Sequence, residues 1–100
     1  MPFERIVPRP LTKSGVETYA PAAAGVYGMS NANEWIYIGE TDNIQQVLLE
    51  HLGNPQGSVM KKHPTGFVCE LCEGTRRPER QHRLIVEYEP TCNRQPSRYS

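Results

Sequence analysis

The sequence lacks the features that mark a dedicated DNA binder, a membrane protein or a disulfide-stabilised domain. Lysine plus arginine equals aspartate plus glutamate, 11 of each, so there is no basic excess to neutralise phosphates, although a local basic face is still allowed. No apolar run of about 18 residues occurs, so no membrane span is expected. Three cysteines without an apolar signal core argue against a disulfide framework. The absence of a signal core makes a cytoplasmic location the default expectation.

What is present suits one small globular domain. The chain has 100 residues, of which 37% are hydrophobic and 22% charged. A domain of this size buries about two-thirds of its unfolded surface, so a modest stability is expected. We divide the chain into a proline-rich arm (1–23), a domain (24–93) and a polar tail (94–100). Within the arm, residues 3–7 are predicted to form a short edge strand, and no chemistry is placed there.

Two strands and a turn open the domain. Residues 24–29 are short, apolar and rich in β-formers, and residues 34–39 are dense in aromatic and β-branched side chains. The four residues between them are of turn type. This pattern predicts an antiparallel hairpin.

A helix is predicted to follow Gly39, with Thr41 or Asp42 as its cap. Apolar residues then recur at helical spacing and define one buried face. Gly53 is expected to end the helix. The apolar positions are Ile44, Val47, Leu48 and Leu52.

A third strand is predicted at residues 66–72, and a last helix from Pro78 to Tyr88, since proline is tolerated in a first helical turn. The order is therefore strand, strand, helix, strand, helix. It predicts an α/β (α+β) fold, with a small three-stranded antiparallel sheet flanked by helices. One face of the last helix carries Gln81, Leu84, Ile85 and Tyr88.

This order, with Gly25-Val26-Tyr27 on the first strand and Tyr37-Ile38-Gly39 on the second, resembles the GIY-YIG nuclease family. In the family the second tripeptide runs into a capped helix that ends near a histidine, which matches His51 here. The last family helix leads into a tyrosine, a proline and an asparagine, and these match Tyr88, Pro90 and Asn93. The resemblance covers residues 24–93.

The resemblance implies phosphodiester hydrolysis in a cleft shared by Tyr27, Tyr37 and His51. In the family, one divalent metal is held by a glutamate of the last helix and stabilises the leaving oxygen. An arginine of the first helix offers planar donors to the charged transition state. Each cleft residue also has a structural interpretation, because the tyrosines can be ordinary strand aromatics and His51 a helix cap.

Three positions depart from the family pattern. The arginine position falls on Val47, the metal-binding glutamate on Gln81, and the basic position after the second tripeptide on Glu40. The nearest carboxylates to Gln81 are Glu79 and Glu87, which the helical spacing points elsewhere. We therefore expect a catalytically impaired domain without a cofactor, and magnesium or manganese only if an active nuclease persists with rearranged residues.

Other clusters allow two interpretations each. A group of basic residues is a candidate nucleic-acid contact or simply a solvated face: Arg76, Arg77, Arg80, Lys61 and Lys62. Cys69 and Cys72, with Cys92 and a histidine (His63 or His82), have the composition of a zinc site. However, strand positions three apart face opposite sides of a sheet, so no metal is assigned to the cysteines.

Three functions remain open from the sequence alone. The first is a binding module for nucleic acid or protein, the second an active metal-dependent endonuclease, and the third a structural or oligomerising domain. No membrane partner is expected, and the oligomeric state stays open.

Overall fold

The computed structural model describes Phe3 and residues 7–93. These residues form a four-stranded antiparallel sheet in the order β1-β4-β2-β3, with helices on both faces. Two short 3-10 turns, Met60–Lys62 and Thr91–Asn93, flank the last part of the domain. The elements are β1 (Arg9–Pro10), α1 (Lys13–Tyr19), β2 (Gly25–Ser30), β3 (Trp35–Thr41), α2 (Ile44–Leu52), β4 (Gly66–Leu71) and α3 (Arg76–Tyr88).

The mixed fold and the predicted element order are confirmed, but the sheet has four strands and not three. The additional strand is β1, which pairs with the first two residues of β4. The edge strand was expected at residues 3–7, of which 4–6 lie outside the described residues. A two-residue strand containing a proline carries no alternating pattern, which is why the sequence did not reveal it.

The arm also holds a helix where irregular chain was expected. Thr12 caps α1, because its side-chain oxygen accepts from the Gly15 amide at 3.0 Å. Val16 is completely buried against the main core. A Cβ on Gly15 would collide with the Pro10 carbonyl oxygen, so glycine lets this helix pack close to β1. A seven-residue helix with one buried apolar residue is too short for periodicity to detect.

Each face of the sheet covers its own core. On one face, Met29 and Phe67 pack against α1 and α2. Ile44 and Leu48 of α2 are fully buried there. The opposite core, which lies against α3, contains Phe3, Val26, Ile38, Val68 and Leu84. Strand β2 lies between two neighbours and under helices on both sides, so all six of its residues are buried.

Turns and caps complete the framework. Asn31 Oδ1 accepts from the amides of Asn33 and Glu34, which confirms the predicted turn between β2 and β3. Asn43 caps α2 by accepting from the Gln46 amide at 2.9 Å, so the predicted caps Thr41 and Asp42 were wrong by one or two residues.

Both ends of the long helices lie close to prediction. Helix α2 ends at Leu52 with Gly53 as its cap, as expected. Helix α3 begins at Arg76, so Pro78 lies within its first turn. It ends at Tyr88, where Glu89 takes a left-handed conformation with φ of 49°. Among the described helices, none is long and apolar enough to cross a membrane.

Candidate functional site

Three predicted cleft residues come together in one aromatic cluster. Tyr27 on β2 and Tyr37 on β3 belong to neighbouring strands and pack on the same side of the sheet, where His51 arrives from the last turn of α2. The ring centroids are 6.1 Å apart for Tyr27–Tyr37, 6.1 Å for Tyr27–His51 and 6.0 Å for Tyr37–His51. A hydrogen bond of 3.3 Å joins Tyr27 Oη to His51 Nε2. We call this set the tyrosine cluster.

The glycines of the two tripeptides shape this cluster. Gly39 faces Tyr27 across the β2–β3 ladder, and a Cβ on Gly39 would lie 2.5 Å from Tyr27 Oη and 2.6 Å from its Cζ. A Cβ on Gly25 would collide with the Glu70 carbonyl oxygen and lie 2.8 Å from Ile44 Cδ1. Both glycines therefore serve close packing: one admits the Tyr27 ring, and the other lets α2 approach the sheet.

All three side chains of the tyrosine cluster are electrically neutral near pH 7. Burial raises the pKa of the Tyr27 hydroxyl, and the neighbouring Tyr37 adds to the effect. Burial also raises the pKa of Tyr37, against a smaller opposite contribution from the Tyr27 hydroxyl. Burial lowers the pKa of His51 from its ordinary value of 6.5, partly offset by Glu50. The charged groups that act on these tyrosines are the carboxylates Glu40 and Glu50.

The first substituted position, Val47, lies on the inner side of α2. Its side chain is half-buried and packs against the core that contains Ile44 and Leu48. This agrees with the apolar stripe expected from the sequence. The valine contributes neither a charge nor a donor to the tyrosine cluster.

The second substituted position, Gln81, is occupied in holding the backbone. Its side-chain amide Nε2 donates to the Ile38 carbonyl oxygen at 3.1 Å. Ile38 follows Tyr37 on β3, which is one of the two edge strands of the sheet. Gln81 therefore acts at the sheet edge next to the tyrosine cluster, as a hydrogen-bond donor.

Asn93 closes the same edge, and sequence reasoning gave it no role beyond the family match. The Ile38 amide donates to Asn93 Oδ1 at 2.6 Å, and Asn93 Nδ2 donates to the Ile38 carbonyl oxygen at 3.0 Å. The asparagine thus satisfies both outward-facing backbone groups, as a further strand would. We call the contacts of Asn93 and Gln81 with Ile38 the edge clamp. No local pattern could reveal it, because Asn93 and Ile38 are 55 positions apart.

The third substituted position, Glu40, is held by an arginine from α3. Arg77 Nε lies 3.5 Å from Glu40 Oε1, and its Nη1 lies 2.7 Å from Asp42 Oδ1. Arg77 is mostly buried, whereas Asp42 is exposed. Glu40 and Asp42 therefore share one guanidinium, at the end of β3 that leads into α2.

The predicted basic group is not assembled into one surface. Arg77 is engaged as described, and Arg80 forms a two-pronged ion pair with Glu70, with distances of 2.7 and 2.9 Å. Arg76 is exposed at the start of α3. Lys61 and Lys62 precede β4, whereas α3 follows it, so the length of that strand, about 20 Å, separates them from the arginines.

The cysteines do not form the zinc site considered from the sequence. Among Phe3 and residues 7–93, no group of three or more histidine, cysteine or acidic side chains is placed to hold a metal ion. Cys92 Sγ instead contacts the Ser58 carbonyl oxygen at 3.9 Å, and burial raises the pKa of its thiol. Cys69 pairs with Tyr27 across the sheet and packs against the same core.

Comparison with known proteins gives one kind of match. No protein-family model matches the sequence, and no curated protein matches it either. Among solved structures, the GIY-YIG N-terminal endonuclease domain of UvrC from Thermotoga maritima, bound to magnesium as its catalytic divalent cation, is similar. The identity is 26%, the match covers 83% of this chain and 100% of that one, and the TM-score is 0.66.

Point mutants of the same UvrC domain, bound to the catalytic cation, also match. An asparagine-to-alanine mutant has a TM-score of 0.67 and a tyrosine-to-phenylalanine mutant one of 0.66, both at 24% identity. Each match covers 84% of this chain and all of the other. The chain therefore has the fold of the GIY-YIG endonuclease domain, with Gly25-Val26-Tyr27 and Tyr37-Ile38-Gly39 on adjacent strands.

Proposed function

We propose that this chain is a GIY-YIG domain with impaired hydrolysis that acts as a binding module. The observation that carries the proposal is the use of Gln81. The metal-binding position of the family holds a neutral amide whose N–H groups face a backbone carbonyl oxygen.

Gln81 is a poor ligand for a hard divalent cation. Such ions prefer carboxylates, and a single protein ligand needs a full negative charge to hold one. Gln81 lacks that charge, and its Nε2 is already 3.1 Å from the Ile38 oxygen. The nearest carboxylates on α3, Glu79 and Glu87, are exposed on other sides of the helix. The residues present therefore do not fit the family's metal.

The negative charge of the transition state would also lack a guanidinium donor from α2. Val47 replaces the family's arginine and packs into the core, so no guanidinium reaches the tyrosine cluster from α2. Arg77 of α3 is in ion pairs with Glu40 and Asp42. A scissile phosphate would meet two carboxylates here, and like charges repel.

The tyrosines are poorly suited to act as bases. A tyrosine base needs its pKa lowered toward the working pH. Burial shifts the pKa of Tyr27 and Tyr37 the opposite way, and Glu40 adds to both shifts.

A plasmid-nicking assay with magnesium or manganese tests the loss of hydrolysis. We expect the wild-type chain to nick supercoiled DNA no faster than its Tyr37→Phe variant. Tyr19→Phe is the matched control, since Tyr19 lies on α1 outside the tyrosine cluster. Metal-dependent nicking that Tyr37→Phe abolishes and Tyr19→Phe preserves would establish an active nuclease and refute the proposal.

For the partner, the charge distribution favours a protein over a nucleic acid. The net charge is zero, two of the five candidate basic residues are in ion pairs, and the lysines lie far from Arg76. Nucleic-acid binding instead depends on neutralising several phosphates along one surface.

Anisotropy of a labelled oligonucleotide at several salt concentrations decides between the two partners. We expect no binding at about 10 µM protein in about 0.15 M salt. Binding that weakens steeply with salt, and that Arg76→Ala or Lys62→Ala reduces, would favour a nucleic acid. Gln56→Ala, in the exposed connector before β4, is the control.

A further inference from the structure

Three of the most exposed large apolar side chains surround a single groove. Val7, Tyr19, Leu71 and Val86 are 70%, 47%, 64% and 62% exposed. The first three line a groove of about 610 Å³ beside the outer part of β4. Large apolar side chains gathered in this way mark interaction sites.

The groove also carries a guanidinium at one end. The Arg9 guanidinium carbon lies 4.3 Å from the centroid of the Tyr19 ring, so a cation–π contact holds the side chain in place. Within the described part of the chain, Arg9 has no carboxylate partner. Arg9 pairs with Phe67 across the sheet, and Leu71 lies four residues further along β4, about 13 Å away. The groove thus presents a cation near the Phe67 end of β4 and an apolar side chain at the Leu71 end.

The outer face of α3 offers the complementary pair. Val86 is the fourth exposed apolar residue, and Glu79 lies seven residues before it, which is almost the same direction around the helix. The two positions are about 10.5 Å apart along the helix axis. The spacing on α3 is about 3 Å shorter than the spacing of about 13 Å along β4. The long side chains of arginine and glutamate can span this difference.

We propose that the groove binds α3 of a second copy of this chain, with Val86 against Leu71 and Glu79 paired with Arg9. The two surfaces lie on different parts of the molecule, so the contact is heterologous and each copy keeps one free groove and one free helix face. The contact is small, so association is weak, with a dissociation constant on the order of 100 µM. This inference goes beyond the proposed function and does not depend on the state of the tyrosine cluster.

Sedimentation of the whole chain from about 10 µM to about 1 mM tests the contact. The weight-average mass should rise above 11.3 kDa with concentration. Leu71→Asp, which blocks the groove, and Val86→Asp, which blocks the helix face, should each stay at 11.3 kDa. Gln56→Asp, an equal charge change in an exposed connector, should behave as the wild type.

Mixing the two blocked variants gives a sharper result. Leu71→Asp retains an intact helix face, and Val86→Asp retains an intact groove. An equimolar mixture of the two variants should therefore form a 1:1 complex of twice 11.3 kDa and nothing larger. If Leu71→Asp is unfolded by circular dichroism, Arg9→Glu takes its place, and combining Arg9→Glu with Glu79→Arg should restore association.

Three outcomes would overturn the proposal: a wild-type chain that stays monomeric to about 1 mM, association that neither variant reduces, or a mixture without a 1:1 complex. The first outcome would leave the groove to a different protein. The second and third would place the contact between copies elsewhere.

Discussion

Replacing Gln81 with glutamate tests the central interpretation, because it restores the family's residue at the cost of the edge clamp. In the native chain, the Gln81 amide donates to the Ile38 oxygen at 3.1 Å, and Asn93 donates to the same oxygen at 3.0 Å. A glutamate has no N–H to donate and would place a negative charge beside that oxygen. If Gln81 is a donor, Gln81→Glu must destabilise the domain even though it is conservative in shape.

The magnitude follows from two losses. The missing hydrogen bond contributes about 1 kcal/mol, and a partly buried carboxylate facing a carbonyl oxygen costs about 1 kcal/mol more. A total of about 2 kcal/mol lowers the melting temperature of a domain of this size by roughly 8–16 °C.

The loss also has a pH signature. The carbonyl oxygen disfavours the ionised form of the new carboxyl, so its pKa in the folded state is raised above the ordinary glutamate value of about 4.3. Stability associated with a raised pKa is fully present below the unfolded value and is lost as the pH rises through the folded one. The difference between variant and wild type should therefore be largest near pH 7 and shrink toward about pH 4, where a protonated carboxyl donates again.

Urea denaturation at several pH values measures this difference. Gln56→Glu is the matched control, since it makes the same chemical change on an exposed side chain of the connector and should shift stability by less than about 0.5 kcal/mol. A Gln81→Glu variant that is as stable as the wild type at pH 7, or a stability deficit that does not depend on pH, would contradict the role of Gln81 as a hydrogen-bond donor.

Three further predictions concern the edge clamp and the tyrosine cluster. Asn93→Ala should lower the free energy of unfolding by about 2 kcal/mol and speed hydrogen exchange at the Ile38 amide. Asn93→Asp keeps the oxygen that accepts from this amide, so the amide should stay protected. Equal exchange rates in the two variants would contradict the edge clamp. Because burial lowers the His51 pKa, the unfolded chain takes up the proton first, so the stability linked to His51 is present above pH 6.5 and lost as the pH falls through the folded value. His51→Gln should flatten this loss in urea titrations, and an unchanged profile would show that His51 is not responsible. Gly39→Ala should cost about 1–3 kcal/mol by displacing the Tyr27 ring, and the cost should shrink in a Tyr27→Leu background; strictly additive effects would refute the contact.

Much of the fold follows from local chemistry. The β-formers on either side of Asn31 predict the hairpin, and the apolar spacing from Ile44 to Leu52 predicts α2. These predictions hold because burial on one face of a strand or helix imposes a short period on neighbouring residues. The structure of the N-terminal arm was harder to predict from the sequence. Helix α1 buries Val16 through contacts with distant elements, and β1 forms only because β4 lies beside it.

The candidate site likewise has features that the sequence predicted and features that it did not. The sequence placed Tyr27 and Tyr37 on adjacent strands and assigned Val47 to the core. It did not show that Gln81 donates to a carbonyl oxygen. Nor did it show that two of the candidate nucleic-acid contacts, Arg77 and Arg80, are used in ion pairs.

Within residues 24–93, the order of residue types specifies which elements form, which faces are apolar and which side chains occupy the family's positions, because period and residue type are local properties. The partners of Gln81, Asn93 and Arg77 depend on how those elements pack. Those partners lie 35 to 55 positions away along the chain, where no spacing rule connects them. Hydrogen bonds and ion pairs at such separations form only after packing has brought the elements together.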